Sequence, residues 1–119
     1  MISYKTLEVW RYSMKTVKEV YDLIKSYPSE EKYGLISQTT RAAVSIPANI
    51  AEGVGRNYKK DTIQFLHYSR GSAYELETLL CVALMTKIID EESYNRISKI
   101  LESNIRLING FINYLNHKP

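Results

Sequence analysis

The residues from Gln38 to Gly55 read QTTRAAVSIPANIAEGVG. Between Ile36 and Ala51 the only charged residue is Arg41, so most of this stretch must be covered by other parts of the chain. Apolar or small residues recur along it in steps of three and four, the spacing of one helix face, at Ile36, Thr39, Ala43, Ile46 and Ile50. The stretch therefore predicts a largely buried helix.

Pro47 interrupts this helical pattern. An interior proline removes the hydrogen bond to the carbonyl four residues earlier and costs about 3 kcal/mol. Two interpretations compete: a break near Ser45, with Pro47 opening another helix, and one kinked helix that runs through the proline. The apolar and polar stripes keep the same phase across Pro47, which favours the continuous, kinked helix. Gly53 and Gly55 then predict its C-terminal end.

A helix is predicted before this stretch, over residues 6 to 26. Its apolar residues alternate steps of three and four, as in the seam of a bundle: Leu7, Trp10, Met14, Val17, Tyr21 and Ile24. Pro28 is expected to end this helix. Ser29 is the candidate cap for the second helix, which we predict to begin at about Glu30.

Two more helices are predicted after it. The third follows Asn57, its predicted cap, and has its core positions at Leu66, Ala73, Leu76, Leu80 and Ala83, with Phe65 and Leu79 widening the stripe. The small residues Ser69, Gly71, Ser72 and Ala73 predict the close approach of another helix there. The fourth runs from about Glu91 to Asn116 and carries on one side Tyr94, Ile97, Leu101, Ile105, Ile108, Ile112 and Leu115.

These four amphipathic helices have short connections and no alternating strand pattern. They predict an all-α fold, an antiparallel up-down-up-down four-helix bundle, as a single domain over residues 1–119. The composition, 45% hydrophobic and 24% charged, is ordinary for a soluble globular protein.

The single cysteine, the charged N-terminus and the short apolar runs indicate the cellular compartment of the protein. Cys81 is the only cysteine, which excludes an internal disulfide and fits a reducing cytoplasm, and we expect it to be a small core residue. The charged N-terminus predicts no signal peptide. The longest apolar run, from Leu79 to Met85, is too short to span a membrane. We therefore expect a cytoplasmic protein.

A polar stripe follows the second helix, within roughly 80° of arc, at Gln38, Arg41, Ser45, Asn49 and Glu52. Its apolar neighbours argue against a solvated face, and buried polar groups must be paired. Candidate partners on the third and first helices are Ser72, Glu75, Arg70, Glu8 and Tyr12. One interpretation is a hydrolase or ligand site, with Glu52 as acid/base and Arg41 as anion clamp. The other, favoured because no nucleophile with an activating base is recognisable, is a structural polar network or subunit interface.

Metal and cofactor chemistry are not predicted. A di-iron bundle needs Glu-x-x-His pairs, and the residues three positions before His67 and His117 are Gln64 and Tyr114. Two histidines and one cysteine make no zinc constellation, and no phosphate-binding fingerprint surrounds Gly53. We expect no catalytic residue, no metal and no cofactor, and predict that the protein is not an enzyme.

Positive charge is clustered, although the formal net charge is only +3. The candidate nucleic-acid-binding residues are Arg11, Lys15, Lys18, Arg56, Lys59 and Lys60. Interleaved tyrosines, Tyr12, Tyr58 and Tyr68, could stack on bases. The alternative is that these residues are the solvated faces of an ordinary bundle. In a ring-shaped oligomer, several modest patches would sum to a strong field.

The segments RAAVSIPANIAEG, from Arg41 to Gly53, and GSAYELE, from Gly71 to Glu77, resemble a bacterial four-helix bundle family. It includes proteins encoded in intervening sequences of large-subunit ribosomal RNA genes and the accessory proteins of diversity-generating retroelements. The motif residues here are Arg41, Ser45, Asn49, Glu52, Gly53, Gly71, Ser72 and Glu75, to which the resemblance gives no catalytic role. Tyr58 departs from the family, which often has a serine cap there.

The resemblance implies homopentameric assembly, and, for the retroelement accessory proteins, binding of a reverse transcriptase and of RNA or DNA through a basic surface. For most members it implies no assigned activity. We therefore expect a non-enzymatic, self-assembling bundle that engages nucleic acid or a nucleic-acid enzyme, without a membrane role. The alternative is a purely structural, homo-oligomeric protein-interaction module.

Overall fold

The computed structural model describes residues 3 to 119. It contains the helices α1 (Glu8–Ile24), α2 (Leu35–Gly55), α3 (Lys59–Met85) and α4 (Glu91–Asn116), with 3-10 turns at Tyr4–Thr6 and Ser29–Glu31 and no strand among those residues. Each helix packs against the next one in sequence, and α1 closes the bundle against α4. The bundle is 48 Å long. The predicted all-α, up-down-up-down four-helix bundle is confirmed.

The core lies where the stripes of α2, α3 and α4 predict it. All five predicted core positions of α3 are buried, and of the α4 stripe only Tyr94 and Ile105 are half-buried. The largest side chains that are fully covered are Ile46, Ile50, Leu66, Leu76, Leu80, Ile97, Leu101 and Ile108. The predicted bounds of α4 are confirmed. Its N-cap Asp90 accepts a hydrogen bond from the Ser93 amide at 2.8 Å, which lowers the pKa of the Asp90 carboxyl.

The α2 helix continues through Pro47 without a break, so the predicted continuity is confirmed. Pro47 is buried and has no N–H to donate to the carbonyl of Ala43. Beside this interruption, the Oγ of Ser69 on α3 donates a hydrogen bond to the carbonyl oxygen of Ile46 at 2.8 Å, inside the core. The proline therefore lies where α3 stabilises the α2 backbone directly.

Close approach of α2 and α3 occurs at Gly53. A Cβ added there would lie 2.6 Å from the Cβ of Phe65 and 3.2 Å from the carbonyl oxygen of Thr62. The Oγ1 of Thr62 donates to the carbonyl oxygen of Gly53 at 2.7 Å. The close approach predicted around Gly71 also occurs, because the Ser69 hydroxyl bonds to the Ile46 carbonyl and the Ser72 hydroxyl to that of Ser45. Gly71 itself is exposed, and nothing lies within 4 Å of its Cβ position.

Alanine substitutions at these two glycines should have opposite effects. We expect Gly53→Ala to lower the free energy of unfolding by about 1–3 kcal/mol, because the new methyl group must displace Phe65. The matched control Gly71→Ala should raise it by about 0.5–1 kcal/mol, because alanine has the better helix propensity. Urea unfolding measures both changes. Equal effects of the two substitutions would contradict close packing at Gly53.

The buried face of α1 differs from the predicted seam. Met14 and Tyr21 are 44% and 46% exposed, and the other four seam residues are half-buried. The residues of α1 that face the core are Val9, Ser13, Thr16 and Val20. The two stripes are centred about 100° apart around the helix. The prediction is wrong because it followed the most apolar stripe, whereas the buried stripe contains two hydroxyl residues.

These hydroxyl groups belong to a buried polar network that joins α1 to α4. The Oγ1 of Thr16 donates to the Oδ1 of Asn104 at 2.7 Å, and the Nδ2 of Asn104 donates to the Oγ of Ser13 at 2.9 Å. The Ser13 hydroxyl in turn donates to the carbonyl oxygen of Val9 at 2.7 Å. All three polar side chains are fully buried. The network therefore connects the first and last helices with its donors and acceptors paired.

A second buried threonine provides a contrast. Thr39 of α2 is fully buried, and its hydroxyl has no hydrogen-bond partner. We expect Thr39→Val to raise the free energy of unfolding by about 1 kcal/mol, because it removes an unpaired polar group. The control Thr16→Val breaks the hydrogen bond to Asn104 and should lower the free energy of unfolding by about 1 kcal/mol. Thermal unfolding measures the change in stability for both variants. If both substitutions stabilise the protein, or both destabilise it, this assignment of hydrogen-bond partners is contradicted.

Two predicted helix caps are wrong. Ser29 begins the short 3-10 turn, and α2 itself begins only at Leu35, five residues after the predicted start at Glu30. Asn57 has a φ of 60°, in the left-handed region, so it forms the turn between α2 and α3. Tyr58 is the N-cap residue of α3 and makes no capping hydrogen bond with its side chain.

Cys81 is exposed, so its predicted place in the core is also wrong. Its sulfur lies 3.4 Å from the hydroxyl oxygen of Tyr94, and this contact raises the pKa of Tyr94. Leu80 and Ala83, which lie on either side of Cys81 in sequence, do face the core. No helix among the described residues is long and apolar enough to cross a membrane.

Candidate nucleic-acid interface

The two ends of the bundle carry opposite charge. Because neighbouring helices alternate in direction, α1 and α3 begin at the same end at which α2 and α4 finish. We call it the basic end: its charged residues are Lys5, Arg11, Arg56, Lys59, Lys60 and Lys118, against Glu8, Glu52 and Asp61. At the opposite, acidic end they are Asp22, Glu30, Glu31, Asp90, Glu91 and Glu92, against Lys25, Lys32 and Lys87. Composition alone does not reveal this separation.

The predicted basic residues after α2 lie at the basic end. The Nε of Arg56 donates to the Oε2 of Glu52 at 3.2 Å, and its guanidinium carbon lies 4.8 Å from the centre of the Phe65 ring. The Nζ of Lys59 donates to the carbonyl oxygen of Lys118 at 2.8 Å, which ties the start of α3 to the end of α4. Lys60 is exposed. Arg56 and Lys59 are thus held in place while remaining open to solvent.

The predicted basic residues of α1 are exposed along its outer face. Arg11 and Lys15 line a shallow depression together with Tyr12, and the Nζ of Lys15 lies 5.2 Å from the Tyr12 ring centre. Lys18 pairs with Asp22 at 3.2 Å. This hydrogen bond and a second one, from Lys25 to the same carboxylate, lower the pKa of the Asp22 carboxyl. The positive character of α1 is therefore strongest toward the basic end.

The polar stripe of α2 follows the outer edge of the contact with α3. Three of its residues are exposed, which contradicts the expectation that the stripe is not solvated: Gln38, Arg41 and Glu52. Ser45 and Asn49 are half-buried. The Ser45 and Ser72 hydroxyl oxygens lie 2.8 Å apart, and the Nδ2 of Asn49 donates to the Oγ of Ser45 at 3.0 Å. This part of the stripe is a small helix-to-helix hydrogen-bond network.

The structure separates the residues suggested for an active site. Arg41 and Glu52 are eleven positions apart on one helix, or about 16 Å along its axis, and Glu52 pairs with Arg56. Of the predicted partners, Ser72 bonds to the stripe, whereas Arg70 donates to the Oδ1 of Asn109 at 2.8 Å. The stripe therefore has the geometry of a packing contact and does not bring an acid/base together with an anion clamp.

His67 lies on the surface, with its Nδ1 2.8 Å from a guanidinium nitrogen of Arg70. Within residues 3–119, no group of three or more His, Cys, Asp or Glu side chains is arranged to hold a metal ion. The most distinct surface feature of the described residues is the separation of charge between the two ends of the bundle.

Residues 5–110 match the model of the 23S rRNA-intervening sequence protein family. The chain belongs to this family. A similar solved structure is that of a protein with unknown function from the S23 ribosomal protein family of Bacteroides thetaiotaomicron VPI-5482, with a TM-score of 0.80 and 27% sequence identity. The alignment covers 87% of this chain and 97% of that one. No curated protein matches.

The family suggested by the Arg41–Gly53 and Gly71–Glu77 segments is thereby confirmed. The match extends across α1, α2 and α3 and into the last two turns of α4, so it includes Arg56, which follows α2, and the lysines that begin α3. It gives the chain a family and a fold, and the solved relative is itself described as having unknown function.

Proposed function

We propose that this protein is a non-enzymatic, self-assembling bundle of the cytoplasm that binds nucleic acid, or an enzyme that acts on nucleic acid, through its basic end. The observation that carries the proposal is the separation of charge along the bundle, with twice as many basic as acidic residues at one end and the reverse at the other. A surface with a local excess of positive charge attracts a polyanion even when the net charge of the protein is small.

The contact residues we propose are Arg11, Lys15, Lys18, Arg56, Lys59 and Lys60. Lys15 and Lys18 extend this surface from the basic end along the outer face of α1, and Lys18 contributes least because it pairs with Asp22. Tyr58 and Tyr68 add aromatic rings that are 72% and 49% exposed. Basic side chains interleaved with exposed rings are typical of surfaces that bind single strands. The family is described by an intervening sequence of 23S rRNA, which makes RNA the first ligand to test. A reverse transcriptase is the enzyme partner that the sequence resemblance suggests.

Self-assembly is supported by exposed apolar side chains on the side formed by α1 and α2. Met14, Tyr21 and Val44 are 44%, 46% and 42% exposed. A group of exposed apolar residues of this kind is common at interfaces between protein chains. We propose that further copies of the chain cover this side, in a pentamer as the resemblance suggests. Light scattering at micromolar concentration is the check, and a monomer would contradict the proposal.

Direct titration tests the nucleic-acid proposal. Fluorescence anisotropy with labelled single-stranded RNA and DNA, repeated over a series of NaCl concentrations, should show binding that weakens steeply with salt. For single strands, each phosphate contact contributes about 0.7 to the slope of log K against log salt. Absence of binding at low salt would overturn the proposal and leave the alternative, a structural interaction module without a nucleic-acid role.

A further inference from the structure

Residues of α2, α3 and α4, together with the residue that precedes α1, line a pocket at the basic end with a volume of about 440 Å³. Its apolar lining includes Leu7 just before α1, Val54 of α2, and Phe111 and Leu115 of α4. This volume lies in the range of pockets that bind small molecules, which are usually apolar with a few polar groups at the edge. The pocket is distinct from the hydrogen-bonded polar stripe of α2 and lies among the basic residues.

Two exposed aromatic rings stand at the edge of this pocket. Tyr58 is 72% exposed and Tyr114 is 58% exposed. The Tyr114 ring stacks on Phe111, with ring centres 6.4 Å apart and planes 23° from parallel. Flat rings that remain open to solvent beside an apolar pocket offer stacking surfaces for another flat ring. The shape and chemistry of the pocket therefore favour a planar aromatic ligand.

Positive groups border the same opening. The hydrogen bond from the Nζ of Lys59 to the carbonyl oxygen of Lys118 links α3 to the residues that follow α4, and the Nζ of Lys118 lies 5.9 Å from the Tyr114 ring centre. Lys60 is exposed one position further along α3 and lines a neighbouring depression, and Asp61 is the one acidic residue in the first turn of α3. Aromatic rings and cations together suit a planar group attached to an anion.

We propose that this pocket takes one unpaired base of a single-stranded nucleic acid, with the adjoining phosphates on Lys59, Lys60 and Lys118. The inference rests on the proposed function and specifies the form of nucleic acid that the basic end prefers. An unpaired base can leave its neighbours and stack on aromatic side chains, whereas the bases of a duplex remain stacked inside the helix. Single strands should therefore bind more tightly than duplexes of equal charge.

The test compares two single-stranded DNA oligomers of about 12 nucleotides, a length within the site sizes known for such proteins. One is oligothymidylate, and the other has the same phosphate backbone but an abasic sugar at every position. We expect the intact strand to bind about ten-fold more tightly, as expected for one stacked base, with the same salt dependence. Tyr58→Ala should remove this difference, and Tyr58→Phe should retain it because the ring remains.

Tyr33→Ala is the matched control, because Tyr33 is 89% exposed and lies near the acidic end. It should leave both affinities unchanged. The Tyr58 side chain makes no capping hydrogen bond, so its variants should fold, which circular dichroism can verify. Equal binding of the two oligomers, or no effect of Tyr58→Ala, would overturn the base pocket and leave the proposed function standing. No binding of either oligomer at low salt would overturn both.

Discussion

Replacing Asn104 with alanine is expected to lower the free energy of unfolding by about 2–4 kcal/mol. The side chain is fully buried between α1 and α4, where its amide accepts from Thr16 and donates to Ser13. Its removal leaves a cavity and ends both hydrogen bonds. Because these bonds join residues 88 and 91 positions apart in sequence, we expect the loss to loosen the closure of the bundle as a whole.

Asn109→Ala is the matched control on the same helix. Its side chain is exposed and accepts one hydrogen bond, from Arg70 at 2.8 Å. A surface change of this kind should alter stability by less than about 0.5 kcal/mol. Chemical unfolding of both variants, combined with Thr16→Val in a double-mutant cycle, measures the coupling between Thr16 and Asn104. A loss below about 1 kcal/mol for Asn104→Ala, or no coupling, would contradict a stabilising network.

Removing the positive charges at the junction of α2 and α3 is expected to have the largest effect on nucleic-acid binding. The triple variant Arg56→Ala, Lys59→Ala, Lys60→Ala should lower the affinity for single-stranded RNA by about 100-fold at low salt, because it removes half of the proposed phosphate contacts. The Arg56–Glu52 pair is half exposed on both sides, so its loss should affect stability little. Anisotropy titration at one fixed salt concentration measures the change.

The control variant carries the same charge change at the acidic end: Lys25→Ala, Lys32→Ala and Lys87→Ala. Both triple variants reduce the formal net charge from +3 to zero, so only the location of the lost charge differs. We expect the control to bind RNA within about three-fold of the wild type, since surface charges far from the contact are screened by salt. Equal losses for the two variants would show that net charge alone drives binding.

Periodicity predicted most of the fold because α3 and α4 bury the stripes that are most apolar. It failed on α1, where the buried stripe includes Ser13 and Thr16. A periodicity argument places such residues outside, because it cannot know that Asn104, some ninety positions later, supplies their partners. For the same reason Asn104 was missed, although an asparagine within the apolar pattern of α4 is the signal that could have indicated it.

The exposure of Gly71 and of Cys81 could not be predicted from their local sequence. Gly53 and Gly71 both occur in distinctive segments, but only the tertiary structure shows which of them faces a neighbouring helix. Cys81 lies within an apolar run, and the run is long enough to pass around the helix and reach solvent. The phase of a helix is set by its partners, and a run without polar residues does not reveal that phase.

The candidate site could be predicted only as a set of residues. The basic residues were identifiable by composition, but their collection at one end depends on the alternating helix directions and on contacts such as Lys59 with Lys118. The pocket beside them was not predictable, because Leu7, Val54 and Phe111 are distant in sequence and are brought together by closure of the bundle. The exposed part of the polar stripe, including Arg41, was mistaken for a covered one.

The most direct test of binding through the basic end is the change in salt dependence between the wild type and the Arg56, Lys59, Lys60 triple variant. If these three side chains contact phosphates, the slope of log K against log salt should become shallower by about 2 for single-stranded RNA. The acidic-end control should keep the wild-type slope. Equal slopes for the wild type and the basic-end variant would contradict nucleic-acid binding at this end of the bundle.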